Sequence, residues 1–431
     1  MSPESSAAAQ PAPPPARSQY WKSIAIIGAL FFIFGFITWL NGTLMPFLKL
    51  ACELSDAETT LVTFAFYMAY FFLAFPSSLI LKVTGFKKGM SLGLLIMAGG
   101  ALLFVPAAST RSFGLFLTGL FVLGMGLALL QTASNPYISI VGPIESAARR
   151  ISIMGICNKV AGVLSPLILS AIVLEGADAL KKRLEDVGDA ETRQRLLNEL
   201  AGRVITPYVV MAVALGLLAL MIRLSPLPEI EAEEKAGRDD RGASIFQFPH
   251  LLLGALCIFV YVGVEVMAGD VIGLYGQKLG LSLDVTKNLT SATLTSMVVG
   301  YCVGIAFIPK YLSQRRALTS SAIVGLAFSA VAFITHGYVS ILFIALLGLA
   351  NALMWPAIFP MAIDGLGRFT KTGSALLVMG IAGGAVIPQI WSRLLVQHLQ
   401  LPAQSAFFWT VLPCYLYILY YAVAGHRPRR R

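Results

Sequence analysis

Residues 204–248 read VITPYVVMAVALGLLALMIRLSPLPEIEAEEKAGRDDRGASIFQF. An apolar run long enough to cross a bilayer, which takes about 20 residues, ends near Ser225 and gives way to a charged, proline-bearing stretch. A new apolar run begins at Pro249. The stretch 226–248 therefore reads as a flexible linker between two membrane-embedded parts. Apolar runs bounded by charges or turn residues lie on both sides of it, near 21–48, 59–83, 88–108, 112–140, 150–174 and 204–225 before it. After it they lie near 249–277, 286–309, 316–336, 338–362, 371–396 and 403–424. Six spans stand on each side.

Composition agrees. Of 431 residues, 57% are hydrophobic and 13% charged, against roughly a quarter charged in soluble domains, which excludes a soluble enzyme. The net charge of +10 reports topology and no nucleic-acid partner, because the cations fall in short gaps between spans. With the N-terminus inside, 20 Lys and Arg lie on the inner side against 5 in the short outer connections, so both termini are expected in the cytoplasm. Residues 1–20 read as a disordered cytoplasmic tail, 21–225 as a six-helix bundle, 249–425 as a second one and 426–431 as a basic cytoplasmic tail. Within the first bundle, 175–203 reads as a polar helix on the periplasmic side.

This layout, an all-α polytopic protein of 12 transmembrane helices in two six-helix halves, is expected of a transporter of the major facilitator class, whose halves are parallel repeats. Weak internal similarity supports it. Gly35-Phe-Ile-Thr-Trp-Leu-Asn-Gly-Thr overlays Gly263-Val-Glu-Val-Met-Ala-Gly-Asp, placing Gly42 opposite Asp270.

Charges inside the bilayer are costly and need a partner, water or a purpose. Lys159 lies about 13 Å into span five, counted from Arg150 at 1.5 Å per residue. It is a structural ion-pair partner or a substrate contact. Glu265 lies about 22 Å along span seven from His250; a buried carboxylate holds a proton, binds Na⁺, accepts from sugar hydroxyls, or pairs with Lys159. Asp270 is about 140° further round an unbroken helix and shares Glu265's cavity only if Gly269 interrupts the helix. The alternative is an interfacial or capping aspartate.

Gln131 and Asn135 share a face of span four, and two amides on one stripe suit a hydroxylated ligand or act as interhelical glue. Proline frees the carbonyls of Gly42, Thr132, Ala352 and Gly384, and Asn41, Asn158, Asn351 and Gln389 are candidate ligands beside such sites. Trp39 and Trp355 stack on a sugar or simply pack. The five cysteines form no CxxC, the four histidines fall near span ends, and no nucleophile–base set, phosphate loop or HExxH is present.

Gln131-Thr-Ala-Ser-Asn-Pro-Tyr137, followed by Val141-Gly-Pro143, resembles the span-four signature of the fucose–galactose–glucose symporter family of the major facilitator superfamily. Leu40-Asn-Gly-Thr-Leu-Met-Pro46, Thr63-Phe-Ala-Phe-Tyr-Met-Ala-Tyr70, Thr206-Pro-Tyr208, Tyr261-Val-Gly263 and Pro356-Ala-Ile-Phe359 follow in the family's order. The resemblance spans about residues 20–425. It implies uptake of a hexose, of glucose/galactose or N-acetylglucosamine type, across a bacterial inner membrane by alternating access. A small-molecule sugar and the lipid bilayer are the implied partners of a monomer, and a co-transported Na⁺ or H⁺ stands in place of any cofactor.

Two departures matter. The proton-coupled fucose symporter carries an aspartate where this chain has Gly42 and a glutamate where it has Gln131. Loss of both acids favours Na⁺, held in an oxygen cage near Glu265 or Asp270, over H⁺. The inner loop Lys82-Val-Thr-Gly-Phe-Lys-Lys88 keeps the glycine and basic pair of the superfamily but lacks its Asp-Arg. The sequence therefore predicts a cation-coupled hexose transporter. Gln131, Asn135, Asn158, Lys159, Glu265, Trp355, Asn41, Asn351 and Gln389 are its candidate sugar contacts, and Glu265 and Asp270 its coupling candidates. A sugar uniporter and, more remotely, a membrane enzyme acting on lipid-linked sugar are the alternatives.

Overall fold

A computed structural model describes residues 17–140, 147–225, 245–307, 313–366 and 369–427. Its described residues are helical throughout, without a strand. Eleven stretches are long and apolar enough to cross a bilayer. One of them, Asp56–Thr110, is 55 residues long and contains two spans. Within it the backbone turns at Gly85, whose φ of 72° and ψ of 174° are non-helical and favour a residue without a Cβ. The twelve-span count follows. Most of the linker, 226–244, lies outside the described residues, as do 1–16 and 428–431. The first helix already begins at Arg17, inside the stretch expected as a tail.

The polar segment 175–203, expected as one helix, is two: Ala177–Asp186 and Ala190–Gly202. Gly188-Asp189 divides them, because the Asp189 side chain accepts the amides of Glu191 and Thr192 and starts a new helix. The Thr192 hydroxyl, then the Thr192 and Glu191 amides, hold the Asp189 carboxyl below its usual range. A depressed acid of this kind supports the cap at neutral pH and loses its contribution as pH falls through the lowered value. Leu180, Leu184, Leu197 and Leu200 bury the apolar face of this pair. We call this end of the bundle the cap face and the opposite end, where Ser225 and Pro249 lie, the linker face.

Three spans that matter for the site are broken. Span one is Arg17–Thr38 followed by Asn41–Ala51, span seven is Pro249–Gly269 followed by Ile272–Lys278, and span ten is Gly337–Asn351 followed by Met354–Ile363. Spans one and seven occupy matching places in the two halves and break within a few residues of the same aligned position. At the span-seven break the amides of Asp270 and Val271 both bond to the Val266 carbonyl. The neighbouring carbonyls of Ala268 and Gly269 accept from the Thr293 and Thr290 hydroxyls at 2.7 and 2.8 Å. Hydroxyls of span eight thus satisfy backbone groups that lipid cannot.

The halves meet where span five packs on span eight and span two on span eleven. Small residues allow close approach. Within the second half, a Cβ at Gly383 in span eleven would collide with the Phe259 carbonyl of span seven. Gly383→Val is expected to cost about 1–3 kcal/mol by overpacking, read as a lower midpoint in detergent thermal unfolding monitored by size-exclusion chromatography.

Candidate functional site between the halves

Lys159 and Glu265 meet at the centre. Lys159 Nζ lies 3.0 Å from Glu265 Oε1, joining span five of the first half to span seven of the second. Both residues are buried, 7% and 9% exposed. The ammonium also sits over the Trp39 ring, 4.4 Å from its centroid, a cation–π contact that strengthens on desolvation. Trp39 stands at the break in span one, and Gly162 and Gly269 press against its indole. The hydroxyl-bearing rings of Tyr261 and Tyr301 face the Glu265 carboxylate. Removing either member of such a pair leaves a buried charge without compensation.

Asp270 is 1% exposed and accepts the Tyr67 hydroxyl at Oδ2, 3.2 Å away. Because span seven is interrupted after Gly269, Asp270 and Glu265 both face the interior, the condition set by the sequence. The Gly42 amide approaches the Asp270 carboxyl group outside hydrogen-bond geometry. Tyr67 stacks on Tyr70 at 6.4 Å between centroids, and Gln131 Nε2 donates to the Tyr70 hydroxyl at 2.7 Å. The two tyrosines thus link Gln131 of span four to Asp270 of span seven. Neither tyrosine is among the site candidates named from the sequence; the signal that marks them there is two phenols three residues apart on one helix face.

The other candidates divide. Trp355 is half-buried, stacks on Phe359 and lies 6.5 Å from Tyr261 between centroids, which places it beside the Glu265 neighbourhood. Asn351 Oδ1 accepts the Tyr415 hydroxyl at 2.9 Å, and Tyr415 also faces Glu265. Asn41 donates to the Thr38 carbonyl at 3.3 Å. Asn158 reaches the Phe31 carbonyl of its own half at 3.5 Å. Gln389 is set apart, donating to Thr60 Oγ1 at 3.0 Å near the cap face. Asn135 lies on the Phe113–Ile140 helix, and its side chain lies outside the described residues. Among the described residues, Trp39 Nε1, Asn41 Oδ1 and Asn351 Nδ2 are buried without a hydrogen-bond partner. Unmet donors and acceptors of this kind are costly unless a ligand or water completes them.

At the cap face the halves are clasped. Asp56 pairs with Lys49 at 2.6 Å and with Lys278 of the other half, and Ser392 donates to the Asp56 carbonyl. Asp178 accepts the amides of Leu283 and Asp284 at 2.9 and 3.0 Å, while Ser170 donates to Asn288 at 2.7 Å. A cleft of about 560 Å³ lies at this clasp, lined by Lys49, Asp178 and Leu283 together with Glu53 and Arg193 among others. These bonds tie the two halves to each other at the cap face.

Twelve spans in two halves, with a buried ion pair and orphaned polar atoms at their interface, define a secondary transporter. Residues 27–389 match the Major Facilitator Superfamily. The glucose/galactose transporter of Brucella abortus is 33% identical over 414 residues, 95% of this chain and 96% of that one. The putative glucose/galactose transporter of Helicobacter pylori is 32% identical, covering 94% and 97%. The crystal structure of the E. coli fucose:proton symporter superposes with a TM-score of 0.73 at 25% identity, covering 94% of this chain and 98% of that chain. The chain belongs to the fucose–galactose–glucose:cation symporter family of the Major Facilitator Superfamily, a family of transporters and not of enzymes.

Proposed function

We propose that this chain takes up a hexose of the glucose/galactose type by cation symport with alternating access. The observation that carries the reading is the Lys159–Glu265 pair at 3.0 Å, made across the two halves amid buried amide and indole atoms without partners. Sugar hydroxyls complete both kinds of group. They donate to the Glu265 carboxylate and to Asn41 Oδ1, and they accept from the Trp39 and Asn351 N–H groups. Gln131 and Trp355 flank the same space, Gln131 through a neutral amide and Trp355 through a ring face suited to a sugar's apolar side. Asn135 and Asn158 complete the set of proposed contacts, while Gln389, bonded to Thr60 near the cap face, stands apart from it. Glu265 and Asp270 are the acids available for cation coupling.

The excess of Lys and Arg on the linker face makes that face cytoplasmic. The domains are then a first bundle through 225, a cytoplasmic linker over 226–248 and a second bundle through 425. The cap helices lie outside a bacterial inner membrane, with both termini inside and the protein acting as a monomer. The clasp around Asp56, which joins the halves through Lys278, supports reading the described state as closed to the outside.

The test is counterflow. Proteoliposomes loaded with unlabelled glucose or galactose are expected to draw in labelled sugar transiently, with N-acetylglucosamine and fucose as competitors. Absence of counterflow with all four sugars would overturn the reading.

A further inference from the structure

Resting on that reading, we propose that Asp270 carries the coupled cation, that this cation is a proton, and that one crosses with each sugar, leaving Glu265 to the sugar. Charge counting leads there. The charged and titratable groups facing Asp270 are Glu265 on its own span, Lys159 on span five and Tyr67 on span two. Tyr70 stacks behind Tyr67. Among the described residues, this cluster when ionised holds two carboxylates and one ammonium. The ammonium is taken by Glu265 at 3.0 Å and by the Trp39 ring. Asp270, 1% exposed, has one phenol hydroxyl on Oδ2 and no hydrogen bond on Oδ1. A carboxylate so placed inside a bilayer calls for one more positive charge.

A proton meets that requirement with a single oxygen, whereas Na⁺ as a hard cation needs several. The carbonyls at the break already have donors, Gly269 from the Thr290 hydroxyl and Ala268 from the Thr293 hydroxyl, and the Tyr67 hydroxyl gives its hydrogen to Asp270 itself. Space is equally short, since a Cβ at Gly42 would strike Thr290 and one at Gly269 would strike Trp39. The sequence favoured Na⁺ because both family acids were gone. The geometry instead puts an acid from span seven beside Gly42, where span one has none. Asp270 binds the proton from outer water at Oδ1, and the neutral cluster changes state. The proton then leaves to inner water on the other side, so one proton moves per cycle.

The experiment uses the full chain in proteoliposomes with the membrane potential clamped at zero. For wild type, each unit of inward pH gradient is expected to sustain about a tenfold sugar gradient, and an inward Na⁺ gradient at equal pH none. Asp270→Asn is expected to lose accumulation and sugar-driven proton uptake while retaining counterflow. Accumulation by Asp270→Asn equal to wild type, accumulation driven by Na⁺ alone, or about a hundredfold gradient per pH unit would each overturn the proposal. Should Asp270→Asn fail to fold, the wild-type slope and the Na⁺ arm decide. Absent counterflow in wild type would sink the sugar reading instead, a result separable from counterflow that ignores pH.

Discussion

Glu265→Gln is expected to lower sugar uptake on the order of 100-fold and to abolish counterflow together with accumulation. The substitution keeps the shape of the side chain and removes its charge. What is lost is an anionic acceptor for sugar hydroxyls, and hydrogen bonds to charged groups are worth about 1.5–3 kcal/mol, up to roughly a hundredfold in binding. The Lys159 ammonium, 3.0 Å away, is at the same time left to a neutral amide in a buried place. Radiolabelled counterflow and gradient-driven uptake, measured on the same vesicles, separate the two losses. If Glu265 only coupled the cation, counterflow would survive while accumulation vanished. Undiminished accumulation would refute both roles.

Lys159→Leu is expected to be the most destabilising of the substitutions considered, by about 3–5 kcal/mol, because it strands Glu265 as a buried charge. The double change Lys159→Leu with Glu265→Leu removes both charges, and replacement of a buried pair by apolar groups of similar volume is often neutral or stabilising. The double variant should therefore regain the thermal midpoint in detergent and still fail to exchange sugar. This pattern distinguishes a site from a staple. A pair that merely held spans five and seven together would give a double variant that both folds and transports. A single variant as stable as wild type would mean that the ammonium contributes nothing to Glu265.

The fold was legible because hydrophobic length and the placement of Lys and Arg are physical requirements of a bilayer, and no packing detail is needed to read them. Lys159 and Glu265 stood out for the same reason: a charge inside the hydrocarbon needs a partner, and few were present. Asp270 was harder. Whether it shares a face with Glu265 depends on a break after Gly269, and that break is held by Thr290 and Thr293 of another span, a tertiary fact invisible in local spacing. Tyr67 and Tyr70 escaped notice because a tyrosine in an apolar run reads equally well as packing, and only their hydrogen bonds to Asp270 and Gln131 mark them. Gln389 was placed with the site by its neighbouring proline, yet its amide bonds Thr60 close to the cap-face clasp.

The clasp also gives the account a direction. Asp56 is paired with Lys278 of the other half, so separating the halves at the cap face breaks this pair, whereas the Lys159–Glu265 pair joins the halves at the centre. A sugar bound there, as proposed, would replace contacts the protein otherwise makes with itself, which is how a ligand biases a two-state equilibrium.

The most direct test of the central claim is the uptake of labelled glucose and galactose by proteoliposomes under an inward cation gradient, with the same gradient collapsed by an ionophore midway. Internal sugar is expected to rise above the external concentration and then to fall to equality once the gradient is gone. Entry that stops at equality whether or not a gradient is present, or no entry of either sugar, would contradict it.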